Sequence, residues 1–257
     1  MNPTLDVILK RKSIRSYEDR PIAEAERNAI LQAAMRAPTA GNMMLYSIIH
    51  VKDQAARETL ARTCDNQPFI AEAPLVLLFL ADYQRWYDYF LLSGVKELAA
   101  QPLQKPEIGD LILACCDALI AAQTAVIAAE SLGMGSCYIG DILENYETHR
   151  DLFKLPEYAL PICLLCFGYP DKKELDRPQT TRFAREFIVF EDEYRRLGAD
   201  EYEEMFRQAQ ENFAESAEQP RGIDNFGQMM YARKFSAGFT RELRRSVKAM
   251  LRAWEGG

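Results

Sequence analysis

The sequence predicts a mixed α/β layer architecture of the α+β class, because apolar runs of strand length alternate with stretches of helical period along most of the chain. Three observations carry that expectation. Residues 75–81 (LVLLFLA) and 160–167 (LPICLLCF) are continuous apolar runs, the kind a sheet covered on both faces needs. Residues 23–36 set Ile30, Leu31, Ala34 and Met35 on one helical stripe. The most apolar long stretch, 111–133, is interrupted by Asp117, Gln123 and Glu130, so it reads as a buried helix and not as a membrane span.

In chain order, residues 3–11 form a short amphipathic helix with Leu5, Ile8 and Leu9 on one face, and 13–21 a polar turn region. The helix over 23–36 ends at Pro38, and Thr39-Ala40-Gly41-Asn42 makes a loop. A β-branched strand (46–51), a helix (54–64) and the central strand 75–81 follow. Residues 83–107 hold Tyr83, Trp86, Tyr87, Tyr89 and Phe90, lack a clean period and end in Pro102 and Pro106; they are expected as a mobile excursion over a site. The long helix 110–132 stops at Gly133. A short strand (136–139), a mixed segment (144–155), the strand 160–167, a charged loop (171–182) and a last strand (187–190, FIVF) complete this part. Beyond about residue 192 the chain is charged and helical, which divides it into a domain over 1–191 and an extension over 192–257.

Composition removes several functions. A net charge of −7 over 257 residues argues against a nucleic-acid surface, which needs surplus Lys and Arg. Six cysteines (Cys64, Cys115, Cys116, Cys137, Cys163, Cys166) sit in or beside apolar stretches and read as reduced core thiols, Cys163-x-x-Cys166 included. Two histidines, His50 and His149, are too few for a His-rich metal site, so no metal is expected. No G-x-S-x-G elbow, G-x-G-x-x-G or Walker loop is present. The start, MNPTLDVILKRKS, has no apolar core of signal-peptide length, and a cytoplasmic protein is expected.

Four segments carry chemistry. Arg11-Lys12-Ser13-Ile14-Arg15 gathers three cations and a hydroxyl, donors suited to a phosphate monoester; on spacing alone it reads as a solvated basic turn. Ala37-Pro38-Thr39-Ala40-Gly41-Asn42 is a helix stop, or a narrow shelf for a flat heterocycle. Gly133-Met134-Gly135-Ser136-Cys137-Tyr138-Ile139-Gly140-Asp141 is a helix cap with an edge strand, or a backbone that a ligand can approach closely. Arg182-Phe183 alone is a surface pair.

In this order, over roughly residues 5 to 190, the four segments resemble the FMN-dependent nitroreductase family. The resemblance implies a central, mainly antiparallel sheet flanked by helices, in a homodimer with FMN at the interface and a C-terminal extension swapped onto the partner. It implies that Arg11, Ser13 and Arg15 hold the FMN phosphate, with Lys12 acting chiefly through its backbone and Arg182 reaching in from the far loop. Pro38, Thr39, Ala40 and Asn42 of the other subunit would line the isoalloxazine ring. Tyr138, Ile139, Gly140 and Asp141 would follow its pyrimidine edge, and residues 187–190 would join the partner's sheet. NADH or NADPH would donate hydride to the flavin, which passes it to a nitroaromatic, quinone or flavin acceptor in a ping-pong cycle needing no catalytic side chain. Reductive dehalogenation or flavin cleavage on the same scaffold, and a non-catalytic FMN-binding storage or sensor protein, are the alternatives. The sequence departs from many members after Asn42, where Met43-Met44-Leu45-Tyr46 replaces a Gln and a Pro-Trp, and before Arg182, where a Lys is common.

Overall fold

The computed structural model describes residues 2–95, 103–216 and 220–256. The chain divides into two compact units, Met1–Gln179 with Glu242–Gly257, and Thr180–Arg241. The first boundary falls before residue 191, and the last part of the chain returns to the first unit.

The first unit is built on a four-stranded sheet of order β1-β2-β4-β3, with every pairing antiparallel: β1 (Tyr46–His50), β2 (Leu75–Asp82), β3 (Gly135–Ile139) and β4 (Ala159–Gly168). All eight residues of β2 are buried, as its unbroken apolar run requires. Successive side chains leave opposite faces of a strand. Leu75, Leu77 and Phe79 therefore share one core with Cys163, Leu165 and Phe167, and Val76, Leu78 and Leu80 share another with Leu164 and Cys166. Cys163 and Cys166 thus face different layers. Burial pushes the Cys163 thiol up to about 12 and that of Cys166 far above its ordinary value, so both behave as small hydrophobes.

The first core is closed by α2 (Glu24–Met35) and the long central helix, and the second by α3 (Gln54–Thr63) and the short α4 (Phe69–Glu72). Local chemistry sets the helix starts: Asn2 accepts from the Leu5 amide at 3.0 Å at the head of α1 (Pro3–Lys10), and Asp53 from that of Ala56 at 2.8 Å at the head of α3. The central helix, α6 (Ile108–Ser131), follows α5 (Gln84–Leu92). It lays Ala118, Ala121, Ala122, Ala125 and Ala129 on the sheet, small side chains that allow a close approach. By length and composition it could cross a membrane, but here it packs one face on the sheet. Its other face exposes Ile112, Leu113, Leu119 and Ile120.

Two expectations need correction. Residues 84–92 are helical, because Trp86, Tyr89 and Phe90 stack at helical spacing and Tyr87 packs edge-on to Tyr158; residues 96–102 of the expected excursion, Pro102 among them, lie outside the described residues. Residues 187–190 form no strand in the single chain: a 3-10 turn (Arg185–Phe187) leads into irregular backbone, and a strand exists only where a ladder partner does. The charged tail is partly buried. Helix α11 (Gly238–Trp254) buries Ser246, Met250 and Trp254, and the Trp254 indole N–H donates to the Glu107 carbonyl at 3.1 Å. Between α6 and α11 lie α7 (Tyr146–Phe153), α8 (Lys172–Asp176), α9 (Ala199–Glu215) and α10 (Phe226–Met230). In the second unit Phe206 of α9 stacks between Phe183 at 5.1 Å and Phe226 at 6.1 Å.

Candidate functional site

The basic segment leaves the C-terminus of α1 and crosses the ends of β3 and β4. Ser13 bridges Ser136 in parallel, the Ile14 amide donates to the Ser136 carbonyl at 2.9 Å, and Tyr17 bridges Pro170. Two glycines permit the crossing. A Cβ on Gly135 would lie 2.3 Å from Ile14 Cγ1, and one on Gly168 would lie 2.5 Å from Tyr17 Cδ1.

The cations then divide. The Lys12 ammonium donates to the carbonyls of Leu175, at 2.9 Å, and Arg177. Arg177 bonds to Glu174 at 2.7 Å and to the Ser13 carbonyl, and the Arg15 amide donates to Glu174 Oε1 at 3.1 Å, so α8 and the residue after it lock the segment's backbone. The Arg15 residue is exposed. Arg11 is half-buried, and its Nη1 is buried with no hydrogen-bond partner among the described residues. Glu130, on the last turns of α6, accepts from the Ser136 hydroxyl at 3.1 Å. Burial drives its carboxyl up to about 7, against the Ser136 hydrogen bond and the Arg11 charge.

The loop 38–45 is organised from the middle of α6, at Asp117. Asp117, 3% exposed, accepts from the Ala40 amide through Oδ1 and from the Leu45 amide through Oδ2, both at 3.0 Å, and from the Thr39 hydroxyl. Thr39 Oγ1 in turn accepts from the Met44 amide at 2.8 Å. Pro38, Gly41 and Asn42 stay exposed, and Gly41, Asn42 and Met44 are left-handed, with φ of 54°, 57° and 50°. The side chains of Met43 and Met44 pack against two different core clusters, which explains why apolar residues stand where an amide was expected.

Tyr138 leaves β3 with its hydroxyl 3.3 Å from Gln123 of α6, as the donor. Ile139 is buried, a Cβ on Gly140 would meet only open space, and Asp141 accepts from Gln67 Nε2 at 2.8 Å. Glu144, 4% exposed, leaves Oε1 without a partner; burial and then the nearby Asp141 push its carboxyl up to about 7. His149 is a core residue, 2.8 Å from Thr63 Oγ1 and 3.0 Å from the Ile142 carbonyl. Arg182, in the second unit, is exposed and bonds to Thr180 Oγ1 at 2.7 Å.

Within the first unit the fold therefore joins the basic segment to β3, and places the 38–42 loop elsewhere. Asp117 and Glu130 are thirteen residues apart on one helix, about 20 Å at 1.5 Å per residue. Sequence reasoning missed Asp117, Gln67, Glu174 and Arg177. Only Asp117 carries a local signal, a carboxylate inside an otherwise apolar helix.

The family model for the nitroreductase family matches residues 8–169. The chain belongs to the nitroreductase family. The match contains the basic segment, the 38–42 loop and the 138–141 strand end, and stops short of Arg182. The chain is similar to an oxygen-insensitive NADPH nitroreductase of Salmonella typhimurium, 34% identical over 77% of each chain. It is also similar to an FMN reductase [NAD(P)H] of Bacillus subtilis, 31% identical over 78% of this chain and 77% of that one. In structure it resembles nitroreductase A of Vibrio parahaemolyticus, with a TM-score of 0.78 and 25% identity over 98% of each chain.

Proposed function

We propose that this protein is an FMN-dependent oxidoreductase that takes hydride from NAD(P)H and reduces nitroaromatics, quinones or flavins by a ping-pong cycle. The names of its relatives, an NADPH nitroreductase and an FMN reductase using NAD(P)H, support the reaction class and both cofactors. The observation that carries the reading for this chain is the buried, unpartnered Arg11 Nη1 on a segment pinned to β3. A buried guanidinium nitrogen without an acceptor is costly, and a phosphate oxygen would relieve it.

The residues fit FMN. Arg11, Ser13 and Arg15 would grip the phosphate, with Lys12 held back by carbonyls and contributing backbone. Tyr138, Ile139, Gly140 and Asp141 would run along the ring edge, where Gly140 leaves room. Pro38, Thr39, Ala40 and Asn42 would cover the ring from a partner subunit. The separation along α6 supports that division, since one chain's loop is held at the middle of the helix and its basic segment lies by the C-terminal turn, about 20 Å away at 1.5 Å per residue. A two-fold dimer joined through the exposed apolar face of α6 would bring one chain's loop toward the other's basic segment. Bound FMN supplies the hydride-accepting and hydride-donating centre. The chain's own part is to bind, orient and keep water from the ring, in a cytoplasmic setting that suits six free cysteines. Anaerobic stopped-flow absorbance tests this: the yellow protein should bleach with NADH or NADPH and recolour on adding a quinone. Flavin that stays oxidised under saturating amounts of both donors contradicts the reading.

A further inference from the structure

We propose that Asp117 is a positioning residue of the flavin site: its buried carboxylate holds the 38–45 loop in the left-handed shape that presents a flat shelf to the ring. This rests on the flavin reading and adds a residue to it. The loop does not hold this shape by itself. Non-glycine residues in the left-handed region need a restraint to stay there, and Asn42 and Met44 are both there. Asp117 supplies the restraint, because one carboxylate collects the Thr39 hydroxyl and the amides of Ala40 and Leu45, at both ends of the loop. Thr39 relays the restraint to the Met44 amide.

The carbonyls on the other side of the loop are held by α5. Trp86 Nε1 donates to the Met43 carbonyl at 2.7 Å, and Arg85 Nη1 to that of Met44 at 3.2 Å. With amides drawn to Asp117 and carbonyls to α5, the backbone of the loop is committed inward. Pro38, Gly41 and Asn42 remain exposed for the ligand. A carboxylate 3% exposed, satisfied by donors from this loop alone, is expensive to keep in a helix whose other buried residues are alanine, leucine and valine. An apolar residue would serve helix packing better, which points to the loop as the reason for Asp117.

The test compares riboflavin with FMN, which differ by the phosphate, using flavin-fluorescence titration of apoprotein. Asp117→Asn and Thr39→Val should weaken both ligands by the same factor, about tenfold or more, leaving the advantage of FMN over riboflavin unchanged. Thr39→Ser, which keeps the hydroxyl, should restore both affinities. Arg11→Ala should instead reduce the FMN advantage and leave riboflavin affinity as it was. A purely structural Asp117 would lower the melting temperature without moving riboflavin affinity, and that result overturns the proposal. So does a variant that removes only the FMN advantage. If Asp117→Asn does not fold, Thr39→Val against Thr39→Ser decides alone. Wild-type protein that binds neither flavin overturns the flavin reading and this proposal together. Wild-type binding that both variants leave intact overturns this proposal only.

Discussion

The middle of the central helix and its C-terminal turn treat their polar groups in opposite ways. At Asp117 both carboxylate oxygens have donors, and the loop it holds is closed on itself. At the Glu130 end a buried guanidinium nitrogen has no acceptor among the described residues, and a half-buried carboxyl is pushed up to about 7. The difference separates scaffold from ligand site. A satisfied buried charge fixes a shape, whereas an unsatisfied one waits for a partner from outside.

The largest way to break this contrast is to push the basic segment off the sheet. Gly135→Ala places a methyl 2.3 Å from Ile14 Cγ1, so the segment must shift. We expect a loss of about 1–3 kcal/mol in urea unfolding, the usual cost of overpacking, together with purification largely free of flavin. Full stability and full flavin content would show that the crossing does not set the site. Next comes Arg15→Ala, which should weaken FMN binding by more than ~1.5 kcal/mol, the lower range for a charged hydrogen bond, with little change in melting temperature because the residue is exposed. Isothermal titration of apoprotein checks it, and an unchanged affinity removes Arg15 from the site.

The smallest effect concerns Glu130. Its carboxyl titrates near 7 in the fold against 4.5 for a free glutamate, so the folded state binds more protons between those values. The stability this gives is fully present below about 4.5 and lost as pH rises through about 7. Glu130→Gln cannot ionise. The melting temperature of wild-type apoprotein should therefore fall relative to that variant between pH 5 and pH 8, and a difference that does not change with pH contradicts the placement.

Much of the fold was legible because burial writes itself locally. An unbroken apolar β2, the alternation of β4 between two cores and the long α6 follow from residues next to one another. What could not be read is what spans distance. Asp117 meets Thr39 and Leu45 across more than seventy residues of chain, and Arg177 reaches Ser13 across 164. Residues 84–92 concealed their helix because every face is aromatic or charged, so no apolar stripe stands out until Tyr158 supplies the surface for Tyr87. The FIVF run carries strand-like residues, but no ladder partner for them stands among the described residues. The basic pentapeptide was legible as a charge cluster, yet nothing in it told Lys12, whose ammonium is engaged by carbonyls, from Arg11, whose guanidinium is not.

The most direct test is the FMN content per subunit of protein purified without added flavin, wild type beside the Arg11→Ala/Arg15→Ala double variant. The account predicts a yellow wild-type dimer with close to one FMN per subunit and a folded, colourless double variant. A double variant that retains its flavin, or a colourless wild-type monomer that added FMN does not change, would contradict it.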